Sequence, residues 1–474
     1  MENVRARIGI VVLCIIWIAS SASAILADGI DDFINAQIAK RQIPGMSIAV
    51  IRDGKVVRAA GYGLANVELK TAATKDTVYE IGSISKQFTS EAVMLLVEDG
   101  KINLDDPINK YLPANAPDTW KAVTVRNLLN HTSGIKDWTE LKDFSYRREY
   151  TSEEFVDLVK GPPLQFAPNT NWAYSNTGLP LLGIIVEKAG GMPFEEFVTK
   201  RIITPLGFPT IRFRHQEDVV ANRASGYQLK DGKITNGEPF RPRIIAPSGG
   251  AMASAVDLAL WFSSVLEGKL LKRASLEQML APVKLADGRS VTHGFAFFTD
   301  SFNGRKMIFH HGSTVGGFGS VVRYYPSERL TIAIIGNVED GGWGPEYISH
   351  RVANTYIKGA YIGGLTERPD PGTSAKYREL LQNIADNKPS DLMAATYPAK
   401  ISADFRKNLA ECLKSGVKTL AYLGQEPVTE NHFVLDPTLA KFVHYKLVTG
   451  LKTMFYTFRL DKDGKVGFIV ATEE

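Results

Sequence analysis

The apolar positions of this chain change period along its length, and those changes mark its elements. From Met46 to Arg52 apolar and polar residues alternate loosely, Asp53-Gly54 supplies a tight turn, and Lys55 to Tyr62 returns. This predicts a β-hairpin, preceded by a helix near Ile30 to Arg41. Phe88, Ala92, Val93, Leu95 and Leu96 then recur at helical spacing, with Gly100 as a stop. Further helices are predicted over Thr124 to His131, after the capping box of Thr151 and Glu154, from Tyr174–Gly178 to Gly190-Gly191, and from Pro193. Ser254 is expected to cap a helix running to Gly268, and Ser275 another. From His293 the period returns to two. Gly294 to Thr299, Arg305 to His311, Phe318 to Tyr325 and Leu330 to Gly336 read as strands, joined by turns at Asn303-Gly304 and Pro326-Ser327. Together with the hairpin they predict one antiparallel sheet, closed by a helix around Pro345 to Tyr356.

A linker over Gly363 to Thr373, with Pro369, Pro371 and Gly372, precedes a helical stripe of Tyr377, Leu380, Leu381 and Ile384. Strand-like runs follow at His432–Leu435, Lys441–Val448, Thr453–Leu460 and Val466–Ala471. The predicted organisation is a main domain over 28–362 and a small α+β accessory domain over 374–474. Gating of substrate, dimerisation and packing are all open roles for the second part, and the oligomeric state is open too.

Composition narrows the function. A 474-residue chain that is 44% hydrophobic and 22% charged is globular and long enough for a large core. A net charge of +4 with no long basic run excludes a case for nucleic acid. The first residues differ from the rest. Arg5 and Arg7 precede an apolar run from Ile8 to Ala19, and Ser21-Ala22-Ser23-Ala24 is small where a signal peptidase reads. Residues 1–24 therefore read as a signal peptide cut after Ala24 or Ala27, with export to a periplasm or beyond. The run falls short of the about 20 residues a bilayer needs, so no stable membrane span is expected once it is removed. An uncleaved anchor is the alternative. Removal takes Cys14 and leaves Cys412, so no intrachain disulfide can form. Cys412 reads as a small buried hydrophobe.

The candidate chemistry centres on Tyr79-Glu80-Ile81-Gly82-Ser83-Ile84-Ser85-Lys86-Gln87-Phe88. Ser83 would stand at the mouth of the apolar helix, with Lys86 one turn on along the same face. The spacing does not assign a role by itself, because Ser-x-x-Lys recurs at Ser133–Lys136 and Ser415–Lys418, and Ser before a helix is a common N-cap. Two further groups can meet it: Tyr174-Ser175-Asn176, and His310-His311-Gly312-Ser313-Thr314 leaving a strand. Each also has a plain reading, a core tyrosine with a turn asparagine and a glycine-rich hairpin. Asn130-His131-Thr132-Ser133-Gly134 reads as a structural turn. Adjacent strand residues point to opposite faces, so His310 and His311 do not make a metal pair. No metal or cofactor is expected.

Taken together and in this order, the pieces resemble the serine β-lactamase-like family: class C β-lactamases, D-Ala-D-Ala carboxypeptidases, D-aminopeptidases and related esterases. The resemblance covers roughly Ile30 to Tyr361 and rests on long phrases: Val78–Lys86, Leu128–Gly134, Trp172–Gly178 and Pro247–Ser254. It implies an α+β fold, a five-stranded antiparallel sheet flanked by helices, with an all-helical lobe and the site between them. It implies Ser83 as acylated nucleophile, Lys86 as its helix-mate and Tyr174 as the second-motif tyrosine. Asn176 would reach the substrate or Lys86. His310-x-Gly312 stands where β-lactamases carry Lys-Thr-Gly, and the N–H groups of Ser83 and Ser313 would form an oxyanion hole.

The residue set has a physical logic. A serine hydroxyl needs a base to take its proton. Lys and Tyr both titrate near 10 in isolation, but when adjacent they share a proton, which leaves either one open as the base. The departure from the pattern is histidine in place of lysine, with His311 as an alternative register to His310. A mostly neutral imidazole offers no fixed charge to a substrate carboxylate, which favours uncharged esters or amides. The expected function is a secreted, esterase-like serine hydrolase acting on a small ester, amide or peptide. A peptidase or β-lactamase is the alternative, and a non-catalytic binding or sensing relative the third reading.

Overall fold

The computed structural model describes residues 29–215, 217–238, 243–339, 343–430, 432–434 and 436–474. The expected signal peptide, residues 1–24, lies outside the described residues, as do parts of the expected strand at His432–Leu435; residues 432–434 are not in a strand. No helix among the described residues is long and apolar enough to cross a membrane.

A seven-stranded antiparallel sheet organises the main body, in the order Phe298–Phe302, Arg305–Thr314, Phe318–Tyr325, Leu330–Gly336, Gly45–Arg52, Lys55–Asn66, Thr71–Ala72. This corrects the expectation of five strands. The two additions are short edge strands: Phe298–Phe302 folds back through the Asn303-Gly304 turn, and the two-residue Thr71–Ala72 pairs beside a bulge. The expected strand at Gly294–Thr299 is displaced toward the C-terminus, and His293 only bridges to Phe298.

The sheet is covered on both faces, which explains its nearly continuous apolar strands. Along Gly45–Arg52, Met46, Ile48 and Val50 enter one core, while Ala49 and Ile51 enter the other. The first core is closed by the helix over 29–41 (Ile30, Ile34) and by Trp343–Tyr356 (Ile348, Val352). The second, larger core joins the sheet to the helical lobe, including Ala255–Leu266, where the Ser254 side chain accepts from Asp257 N–H as expected of a cap. Thr151 and Glu154 likewise form their reciprocal cap. Ser275 does not cap: the helix Arg273–Leu280 starts earlier and buries that serine in its body.

The serine helix, Ser85–Glu98, departs from the one-sided helix its apolar stripe implies. Every residue from Ser85 to Leu96 is buried, so the helix runs through the middle of the lobe. Phe88 stacks on Trp261 with ring centroids 4.0 Å apart.

Beyond residue 373, the helices Ser374–Ala385 and Ala403–Lys414 pack on a four-stranded antiparallel sheet. Its strands are Val417–Pro427, Leu439–Thr449, Thr453–Asp461 and Val466–Glu473. Tyr377, Leu380, Ile384, Leu409, Tyr456 and Phe458 belong to a core of its own. Cys412 is buried in the second helix.

Candidate active site

Ser83 lies in a single 3-10 turn, Gly82–Ile84, immediately ahead of the serine helix. It is not that helix's side-chain cap. From Thr77 to Leu96 it is the one residue that is not buried. The turn is bolted down from several sides. Ser85 Oγ donates to Gly82 O at 2.6 Å and accepts from Ala251 N–H at 3.0 Å. Ser320 Oγ donates to Ile81 O at 2.8 Å. Gly82 has φ +53°, and a Cβ there would stand 2.7 Å from the backbone N and O of Ser313. A Cβ on Gly312 would stand 2.1 Å from Ile81 O. Only glycine at these two positions lets the strand Arg305–Thr314 lie against the turn, which brings the backbone of Ser313 beside Ser83.

Lys86 is fully buried, and its Nζ reaches Ser83 Oγ at 3.0 Å, Asn176 Oδ1 at 2.9 Å and Ser248 O at 2.8 Å. Burial lowers its pKa to about 7, against the opposing pull of the Asp137 charge. The arrangement has a consequence for proton placement. A neutral amine has two N–H groups, and two carbonyl acceptors are present to take them. The lone pair is then left for the Ser83 hydroxyl.

Tyr174 presents its ring face to Lys86, with Nζ 5.0 Å from the centroid, and its phenol lies within electrostatic reach of Ser83. Burial drives the phenol's pKa well up, and the nearby Ser83 hydroxyl opposes it only in part. The phenol is therefore held neutral at ordinary pH.

His310 and His311 separate as a strand requires. His310 pairs across to Val322, whose side chain belongs to the core on the helical-lobe side; His311 pairs to Val321, in the opposite core. The His310 ring lies 6.2 Å from the Tyr174 ring. His311 lies on the other face, where burial lowers its pKa and the Glu346 charge opposes this. Of the two registers, the geometry brings His310 to the site. Burial pushes the His310 pKa well below the usual imidazole range, and Lys86 and the neighbouring histidines add to this. Its Nδ1 is 2.6 Å from His311 O.

All seven residues singled out in the sequence thus converge: Ser83, Lys86, Tyr174 and Asn176 by side-chain contact, and His310, Gly312 and Ser313 on the adjoining strand. The sequence reading missed others. Asp137 accepts from Asn176 N–H at 2.6 Å and from its Nδ2 at 3.1 Å. His131 remains a structural turn residue, with φ 61° and Nδ1 accepting from Ser175 N–H at 3.2 Å. Its ring also lies 4.7 Å from Tyr174 and 4.9 Å from buried His293. Phe433, from the C-terminal part, packs edge-on against Trp172 at 5.8 Å and Phe298 at 5.2 Å, and Phe298 touches His310 at 5.1 Å. Asp137 and Phe433 carry no local motif and are recruited by chain return, whereas His131 lies within the Leu128–Gly134 phrase. Among the described residues no group of three or more His, Cys, Asp or Glu is set to hold a metal ion.

A family model described as Beta-lactamase matches residues 30–356. Protein flp of Staphylococcus aureus (strain MRSA252) is 27% identical over 331 residues, 69% of this chain and 66% of that protein, so the match spans a little under two thirds of the relative. Among solved structures, the octameric penicillin-binding protein homologue from Pyrococcus abyssi is 26% identical with a TM-score of 0.62, covering 94% of this chain and 98% of that one. A D-stereospecific amidohydrolase from Streptomyces sp. is 25% identical with a TM-score of 0.55, covering 66% and 94%.

Proposed function

Because this chain belongs to the beta-lactamase family, a family of hydrolase fold, we propose that it is a serine hydrolase cleaving an uncharged ester or amide through an acyl-Ser83 intermediate. The observation that carries the reading is the seating of Lys86 Nζ between two carbonyl acceptors and Ser83 Oγ, with a pKa of about 7. Near neutral pH a large share of the amine is free to accept the serine proton as the oxygen attacks the substrate carbonyl carbon. The neutral phenol of Tyr174, beside Lys86 and Ser83, is suited to donate a proton to the leaving oxygen or nitrogen. The N–H groups of Ser83 and Ser313 would receive the developing oxyanion, a contribution typically worth about 3 kcal/mol per donor. Water then attacks the acyl carbon, the same groups return the protons, and the acid leaves.

The substrate class follows from His310. A buried neutral imidazole stands where a lysine would offer a charge, so the site has no fixed cation there for a substrate carboxylate. Esters and amides without a free carboxylate fit best. A second reading, a D-amino-acid amide as substrate, is favoured by the likeness to the D-stereospecific amidohydrolase, and it also lacks that carboxylate. Export of the mature chain remains part of the proposal.

Labelling with a fluorophosphonate followed by peptide mapping tests the nucleophile, and absence of an adduct on Ser83 ends the reading. Turnover of a nitrophenyl ester, a D-amino-acid amide, a D-Ala-D-Ala peptide and nitrocefin, side by side, tests the substrate class. Preference for either of the last two would reverse it.

A further inference from the structure

An unfilled space between the two parts of the chain does not include Ser83 in its wall. It is a cavity of about 440 Å³ between the edge strand Phe298–Phe302 with the helix Trp343–Tyr356 on one side and the C-terminal sheet on the other. That volume falls within the range of small-molecule sites, about 300–1,000 Å³. Its walls are largely apolar, with Phe302, Phe433, Phe442, Ile362 and Val470 among them.

One charge in this wall makes no ion pair. Arg459 points from the strand Thr453–Asp461 to the cavity side, and its guanidinium rests against the rings of Phe442 at 5.2 Å and Phe468 at 5.5 Å. Among the described residues it makes no hydrogen bond or ion pair, and its Nε is buried without a partner. The other charged groups of the wall each have a partner on at least one atom. Glu346 is bridged to Arg323 and to His350 Nε2. His444 is held by Thr457 and Glu426. Asp300 accepts the N–H groups of Ser301 at 2.7 Å and Phe433 at 3.1 Å with one oxygen, and burial pushes its pKa up. It interacts with Arg459 through space but makes no ion pair with it. A guanidinium left unpaired in a mostly apolar chamber is a costly arrangement that an oxyanion relieves.

We propose that this cavity binds a small amphipathic carboxylate, its carboxylate on Arg459 and its hydrocarbon chain or ring among the phenylalanines. The site does not use Ser83 or Lys86, so it stands or falls apart from the hydrolase reading.

Titration calorimetry on the full chain tests it, with octanoate and phenylacetate as probes and octanol as the uncharged control. One acid is expected to bind per chain, octanol at least tenfold more weakly. Arg459→Met, which keeps the apolar stem, should weaken acid binding at least tenfold. Val470→Trp, which fills the chamber while leaving Arg459 in place, should abolish it, and it decides the matter if Arg459→Met does not fold. Absence of acid binding to the wild-type protein overturns the proposal. So does binding unchanged in Val470→Trp, which would put the acid elsewhere, or equal binding of octanol, which would remove the role of the charge.

Discussion

One carboxylate oxygen of Asp137 takes both the backbone N–H of Asn176, at 2.6 Å, and its side-chain Nδ2, at 3.1 Å. This fixes which end of the amide faces Lys86: Nδ2 is occupied, so Oδ1 is turned to Nζ at 2.9 Å. An asparagine free to flip would as readily present its NH₂ group, a donor that cannot receive a lysine N–H. Asp137 thus acts through Asn176 as a positioning residue. Asp137→Asn should lower kcat/KM about tenfold, the loss of roughly 1.4 kcal/mol. Its charge also raises the Lys86 pKa, so the rising limb of the pH–rate profile should move to lower pH. A drop in rate with an unmoved limb would mean that the variant only disturbs packing.

Lys86 sets where that limb lies. With its pKa lowered to about 7, the rate of Ser83 acylation should rise with pH through about 7 as the amine loses its proton. Stability follows the same shift. The folded value lies below the unfolded one, so between about pH 7 and the unfolded value near 10.5 the unfolded chain binds the extra proton. In that window the buried lysine costs stability, and the cost shrinks as pH rises. Lys86→Met should therefore lower acylation about 10³-fold while the melting temperature at pH 7.5 holds or rises. Stopped-flow acylation and calorimetry check the two halves, and a fall in melting temperature would contradict the second.

His310 is expected to stay neutral throughout the working range, because burial and the nearby cations push its pKa well down. KM for a nitrophenyl ester should then vary less than about twofold between pH 6 and 8. A several-fold tightening toward pH 6, abolished in His310→Ala, would instead reveal a charged imidazole meeting an anionic substrate.

Gly82 is irreplaceable on two counts, its φ of +53° and the 2.7 Å approach of a Cβ to the Ser313 backbone. Gly82→Ala should cost about 1–3 kcal/mol from the backbone conformation alone. It should also push the strand off the turn, with kcat falling more than KM rises. Denaturant melts with steady-state kinetics measure both, and an unaltered kcat would argue against an oxyanion site between Ser83 and Ser313.

The C-terminal part should be felt at the cleft through Phe433, which backs Trp172 and Phe298. Phe433→Ala is expected to lower kcat/KM for bulky acyl esters about tenfold and for acetyl esters much less, because the wall behind the rings gives way. Equal losses on both substrates would reduce Phe433 to a stabilising contact.

Local chemistry suffices for much of this protein. The Asp53-Gly54 turn, the Thr151–Glu154 cap, the Ser254 cap and the apolar strands around Val321 and Ile334 are governed by neighbours a few residues away, and they were legible in the chain. So were Ser83 and Lys86, one helical turn apart, and the phrases around Tyr174 and His310. What required the folded chain were the relations set by distant returns. Only the two-faced burial of the sheet decides that His310, not His311, meets Tyr174, since a strand's period says that they diverge but not which side holds the site. Only packing buries the serine helix from Ser85 to Leu96, leaving Ser83 in the turn before it partly accessible and stripping water from Lys86 so that its pKa falls. The edge strand Thr71–Ala72, the recruitment of Asp137 and the reach of Phe433 to Trp172 come likewise from long-range closure, which no local pattern encodes.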